Sequence, residues 1–405
     1  MFNMKKNLLV ISPFAPYKTV KHAGGQIHYY YIKKLESQFN ITLISYANIT
    51  EKPMIEKDGI NGESFILYDK IGFSTIKEFF TKVISTVRFY NPFDKYGGMI
   101  PWQLERFILK TTKNLRKNCY NPDFIIFDWI QTAFFSKKIK KLFPNSKIIS
   151  VEQDVCYLNF YRRLFNSKNF LSRVYNSIRY RIVKNNELNA LALADEAVVL
   201  NKKDEDLLNK DSSNIKSIRI VSPYYHSFAN LKRSNTPNKD ILFYGAMNRM
   251  ENYEAAIWFI ENVVNELDST FNFVVIGNKP PEKLMKYESD HIKILGFVED
   301  ISPYFENSLC LVVPLLVGAG IKIKVLEGLS AGIPVLTNDI GIEGIPAKHN
   351  YEYLHCTTTQ EYLNSIMKLA EDTAFSSNLS ANAKLFMNKN FNYETDTYLK
   401  PDING

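Results

Sequence analysis

Residues 314–334 read PLLVGAGIKIKVLEGLSAGIP and concentrate the groups that could do chemistry. Gly318 and Gly320 carry no side chain, so backbone N–H groups there can approach a ligand closely. The apolar spacing after them predicts a helix over 321–330. A helix start offers unpaired N–H groups and the positive end of the dipole. Loop and helix start together make an anion site of the kind that holds a diphosphate. Lys322 falls in the first turn, where the dipole disfavours a cation unless a bound anion compensates. Lys324 adds a second cation. Glu327, about one and a half turns further on, can accept hydrogen bonds from both hydroxyls of a ribose. The same pattern also fits a Gly loop before an ordinary amphipathic helix, with Lys322, Lys324 and Glu327 in solvent.

Other polar groups are scattered. Asp128 follows the apolar run FIIF, and Asp154 follows KIISV. Both fall at carboxyl ends of predicted parallel strands, where a carboxylate can orient or deprotonate an acceptor hydroxyl. Residues 204–206 spell D-E-D, which could hold Mg²⁺, but they follow Asn201 at a predicted helix start, where acidic residues suit the dipole. His22 and His28 lack metal-ligand helical spacing, and no His/Cys cluster argues for zinc. No metal and no cofactor is expected.

These groups need a scaffold. The run at 6–13, a Gly-containing loop with Gly24 and Gly25, a helical stretch and a strand at 41–45 open a doubly wound α/β domain. Further strands are predicted at 124–127, 147–151, 196–200 and 217–221. A basic, aromatic stretch over 73–115 reads as helical. A second alternation places strands at 241–244, 271–276, 292–295, 309–314 and 334–337, with helices over 253–267, 281–287, 301–308 and 321–330. The expected organisation is an N-terminal Rossmann-like domain over 1–228, a polar linker over 229–240 and a C-terminal Rossmann-like domain over 241–380. Residues 381–405 are expected to return to the first domain. Ligands of such sheets bind beyond the carboxyl ends of the strands, here in a cleft between the domains.

The chain has 405 residues, enough for two domains. Four cysteines without C-x-x-C spacing read as free thiols in a reducing compartment. No apolar run is long enough to span a bilayer, and the start reads as a buried strand rather than a signal segment. The expected location is the cytoplasm, with peripheral attachment at the inner face of the plasma membrane. Charge is uneven. Residues 1–234 hold 37 Lys+Arg against 20 Asp+Glu, a net of +17, while the remainder nets −9. The basic half could meet an anionic membrane, a phosphate-bearing acceptor or nucleic acid. Arg162, Arg163, Arg173, Arg179, Arg181 and Lys184, set among aromatics over 157–184, read either as a lipid-docking face or as a solvated helix with a core-facing stripe. No nucleic-acid-binding motif is present, so no nucleic-acid partner is expected.

The second alternation resembles retaining glycosyltransferases of family 4. The donor loop G-A-G-I-K-I-K-V-L-E-G-L-S-A-G-I-P-V-L is similar to that family's signature. So are Tyr244-Gly245-Ala246-Met247 with Asn252, the strand FVVIG, the turn LGFV and the segment NDIGIE. The resemblance implies a GT-B fold, two Rossmann-like domains facing a central cleft. It implies that Glu327 holds the donor ribose and that the N–H groups of Gly320, Ile321 and Lys322 bind the distal phosphate. Phe297 and Val298 would present backbone groups to the base, and Gly24 and Gly25 would approach the donor phosphate. Gly245, Arg249, Asn252, Gly318 and Lys324 complete the implied donor site. Ala319 stands where the family's first Glu of E-x7-E would touch the transferred sugar. Arg249 is the match for a phosphate-clamping Arg, and Asn252 stands where a Lys is usual.

The implied activity is transfer of a sugar from a nucleotide diphosphate sugar to a glycan or lipid-linked saccharide acceptor, with retention. Asp128, Asp154, Lys322 and Glu327 are the candidate catalytic groups. Two alternatives share the sequence features: a nucleotide-sugar epimerase of the same fold, and a non-catalytic nucleotide- or glycan-binding protein.

Overall fold

The structure, a computed structural model, describes residues 5–69, 76–167 and 169–400. The start of the basic stretch, 73–75, lies outside the described residues; the rest of it forms the helices Ile76–Tyr90 and Trp102–Lys117.

Among the described residues, two all-parallel sheets organise the chain. The first has seven strands: β1 (Lys6–Ile11), β2 (Phe39–Asn48), β3 (Glu63–Asp69), β4 (Phe124–Asp128), β5 (Lys147–Glu152), β6 (Glu196–Val199) and β7 (Ile218–Ile220), in the order β3-β2-β1-β4-β5-β6-β7. The second has six: β8 (Asp240–Tyr244), β9 (Asn272–Ile276), β10 (Ile292–Gly296), β11 (Cys310–Val313), β12 (Val335–Thr337) and β13 (Leu354–His355), in the order β10-β9-β8-β11-β12-β13. Continuous apolar runs make these strands because helices cover both faces of such a sheet. Leu8 to Ile11 and Ile241 to Phe243 are fully buried. Each sheet reverses its strand order once, between β1 and β4 and between β8 and β11. Those are the switch points where the carboxyl ends leave a crevice.

The chain forms two compact units. One is Tyr225–Glu394; the other takes the chain up to Tyr224 and from Thr395 onward. This corrects two expected boundaries. The polar stretch 229–240 belongs to the second unit rather than to a linker. Arg233 donates to the carbonyls of Phe305 and Ser308 at 2.8 and 2.9 Å, which ties the stretch down. The return to the first unit also begins later than residue 381. The helix Thr373–Asn390 buries Leu379, Ala383 and Met387 in the second unit's core. The first unit receives the chain at Asp396, whose carboxylate accepts from the Ser222 N–H at 2.7 Å, and at Tyr398, stacked on Tyr31.

Candidate active site

The second sheet's switch point carries most of the expected donor residues. β8 ends in Tyr244, with Gly245 next. β11 leads through the loop to the helix Ile323–Ala331. That helix starts two residues later than the pattern predicts. Lys322 is its N-cap, in extended backbone, and no side chain caps the helix. Gly320 has φ 69°, a left-handed conformation that strains any residue with a Cβ. The loop therefore turns where glycine permits it and leaves the helix start open.

Lys324, in the first turn, sends its amine back over β8. It donates to Asn252 Oδ1 at 2.7 Å, and a Cβ on Gly245 would stand 2.6 Å from it. Gly245 is thus required by the close approach of a cation. Asn252 is buried, and its own amide donates to Ala246 O at 2.9 Å, which turns its carbonyl toward the lysine. Burial pushes the Lys324 amine down to about 7, and the charges of Arg249 and Lys322 push the same way. Arg249 caps the helix Met250–Asn262 and pairs with Glu251. The Lys322 amine donates to Gly320 O at 2.5 Å and lies 3.7 Å from Glu343 Oε2. Three cations that repel one another beside an open helix start are the electrostatics of an anion site.

Glu327 stands one turn behind. Burial pushes its carboxyl up to about 7, while a hydrogen bond from the Tyr244 hydroxyl opposes the shift. The hydroxyl thereby fixes one carboxylate oxygen.

The remaining donor candidates share the same end of the sheet. A Cβ on Gly318 would meet Lys322 Cε at 3.2 Å. Ala319 is half-buried in the loop, and Ile321 packs on the core. Phe297 and Val298 follow edge strand β10, two strands away from β8. Phe297 is 74% exposed, and Val298 packs against the core. Sequence reasoning gave no role to Tyr244 or Glu343. A tyrosine closing a central strand just before a glycine was the available signal for the first; the second ends the segment NDIGIE, whose family likeness was the available signal.

The first unit arranges its candidates differently. Gly24 and Gly25 lie in the first turn of the helix Ala23–Leu35 rather than in a loop. The Gly25 N–H donates to His22 Nδ1 at 3.0 Å, and a Cβ on Gly24 would strike Trp129 at 2.7 Å. Close packing explains both glycines. Asp128 ends β4 at the switch point, fully buried with His28. Its carboxylate pairs with His28 Nδ1 and accepts from Gln153 Nε2 at 3.0 Å and the Trp129 N–H at 3.1 Å. In this arrangement it holds His28. Asp154 is half-buried and accepts from Asn159 Nδ2 at 3.1 Å. Between them Glu152, buried at the end of β5, has its carboxyl pushed up to about 8 by burial. The D-E-D segment is a helix start: Asn201 accepts from the Asp204 N–H at 2.9 Å, and Lys202 pairs with Glu205 and Asp206. Among the described residues no three His, Cys, Asp or Glu gather as a metal site.

Residues 238–372, all inside the second unit, match the family model described as glycosyl transferases group 1. A Klebsiella pneumoniae protein described as an uncharacterized 44.6 kDa protein in the cps region is 21% identical over 267 residues, covering 63% of this chain and 67% of that one. Among solved structures, the chain is similar to Anabaena HepE in complex with UDP, with a TM-score of 0.67, 11% identity and 96% of each chain covered. It is equally similar to sucrose-phosphate synthase from Thermosynechococcus elongatus, with a TM-score of 0.67, 13% identity and 96% of each chain covered. The structural likenesses carry the fold, which is GT-B. The domain match carries the class: the enzyme is a glycosyltransferase.

Proposed function

We propose that this enzyme transfers a sugar from a nucleotide diphosphate sugar to a glycan or lipid-linked saccharide, with retention, in the synthesis of a bacterial surface polysaccharide or glycoconjugate. The observation that carries the reading is Lys324. Its amine is lodged between Gly245 and Asn252, beside Lys322, Arg249 and an uncapped helix start. Breaking a sugar–diphosphate bond leaves negative charge on the departing phosphate. A preformed cation and aimed N–H dipoles stabilise that charge without reorganising. Glu327, steadied by Tyr244, accepts from the ribose hydroxyls. The acceptor hydroxyl attacks from the leaving-group side, which gives retention; the resemblance to family 4 supports this step. The UDP complex of HepE and the cps-region relative support the donor class and the polysaccharide role. Work at the inner face of the cytoplasmic membrane follows from the basic first half.

A thermal-shift screen against UDP-, GDP-, CMP- and dTDP-sugars tests the donor class. A ligand at about 100 times its Kd stabilises the fold by about 2.7 kcal/mol, so one donor should raise Tm clearly. A flat response to every nucleotide sugar would sink the reading.

A further inference from the structure

From Phe80 onward the helix Ile76–Tyr90 turns apolar side chains outward. Phe80, Val83, Ile84 and Val87 recur at the spacing of one helix face, and each is 39–62% exposed. The opposite face is fastened to the protein. Ser85 Oγ donates to Gln103 Oε1 at 2.8 Å, and Arg88 donates to Asp94 at 2.9 Å and Glu105 at 3.0 Å. Those bonds prevent the helix from rolling its apolar side inward. An amphipathic helix on a soluble surface normally does the reverse.

A second element repeats the theme. The helices Cys156–Phe165 and Phe170–Leu193 pair as a hairpin. Beside its connection stand Phe165, Phe170 and Leu171, exposed by 77%, 76% and 79%. Arg163, Arg173 and Arg181 are exposed on the same hairpin. From residue 155 to 186 the chain has five Arg and two Lys and no acidic residue. Arg179 joins the two elements: its guanidinium lies 5.7 Å from the Phe89 ring centre and 5.1 Å from that of Phe160. The apolar helix and the basic hairpin are therefore neighbours in one unit.

We propose that this face of the first unit seats on an anionic lipid bilayer, with the hairpin tip and the Ile76–Tyr90 stripe entering the headgroup boundary and the arginines meeting lipid phosphates. Scattered single apolar residues need no partner, but a fastened apolar stripe next to a basic hairpin with no exposed acid matches an interfacial element. Charge complementarity selects the anionic lipid: each basic residue near such a surface adds attraction, and the hairpin's one carboxylate, Glu187, is fully buried and held by the Cys156 and Tyr157 N–H groups. The proposal deepens the membrane-facing part of the proposed function and does not depend on the donor chemistry.

Flotation of the full chain with phosphatidylglycerol vesicles, against phosphatidylcholine vesicles, tests it. The protein should float with the first and not the second, less so as salt rises. The triple variant F165S/F170S/L171S and the pair R163E/R173E should each lower binding by about tenfold or more. All five positions are exposed, so both variants should fold and keep wild-type affinity for a nucleotide sugar. Absence of flotation, or variants that float like wild type, would overturn the proposal. So would a dimer in vesicle-free light scattering that the triple variant dissolves, or single-stranded RNA bound as tightly as the vesicles. Flotation without nucleotide-sugar binding would sink the donor chemistry and leave this surface standing.

Discussion

The two units use positive charge in opposite ways. The first half of the sequence nets +17 and spreads much of that charge over solvent-facing helices such as the Arg163–Arg173 hairpin. The second half nets −9, yet it gathers Lys322, Lys324 and Arg249 around one helix start. Counting charges would place the proposed anion site in the wrong unit. What matters is whether a cation is held partly out of water, without full compensation, where dipoles already point. The two switch points differ in the same sense. In the second unit Lys324 and Glu327 are half-buried and their proton affinities are displaced toward neutrality. In the first, Asp128 and His28 are sealed from solvent and paired with each other, and among the described residues the buried His28 Nε2 finds no hydrogen-bond partner.

That contrast can be broken most severely at Lys324. Lys324→Met should lower kcat by about 10²–10³-fold while leaving the melting temperature close to wild type, because it removes a donor aimed at the leaving group. Steady-state kinetics with the donor named by the screen, alongside a thermal melt, checks it. The mirror test is His28→Leu. Leaving Asp128 buried without its partner should cost about 3–5 kcal/mol in stability, read by urea unfolding. The double variant with Asp128→Leu should lose less than His28→Leu alone.

The pH response sharpens the comparison further. A diphosphate prefers the charged Lys324, whose amine in the free protein titrates near 7. Donor affinity should fall as pH rises through about 7, and Lys324→Met should flatten that fall in calorimetric titrations. Glu152 gives the smallest effect and concerns stability alone. Its folded carboxyl, pushed up to about 8, keeps a proton that the unfolded chain gives up above the ordinary carboxyl range near 4.5. Stability should therefore decline between those two values as pH rises. Glu152→Gln should shallow the decline in melts taken across that window.

Much of this was legible in the sequence. Gly318, Gly320, Lys322, Lys324 and Glu327 stand out because loop, helix start and carboxylate lie within ten residues, where helical periodicity fixes their relations. Long apolar runs likewise announced β1, β4, β8 and β11. β3 and β13 escaped for physical reasons. β3 is an edge strand with no fully buried residue, and β13 is two residues long. The linker was misplaced because Arg233 looks solvated in sequence and is anchored only by carbonyls more than seventy residues away. Lys322 and Lys324 look alike in the motif. Only the fold tells that the first bends back to its own loop while the second reaches β8. The pairing of Asp128 with His28 spans a hundred residues and had no local mark.

The central claim is that Lys324, fixed by Asn252 and Gly245, receives the donor diphosphate. Isothermal titration of the wild type, Lys324→Met and Lys322→Met with the nucleotide sugar that stabilises the fold tests it most directly. The account predicts that Lys324→Met loses about tenfold or more in affinity, a charge-assisted contact of about 1.5–3 kcal/mol, and that Lys322→Met loses distinctly less. Equal affinity in the wild type and Lys324→Met would contradict it.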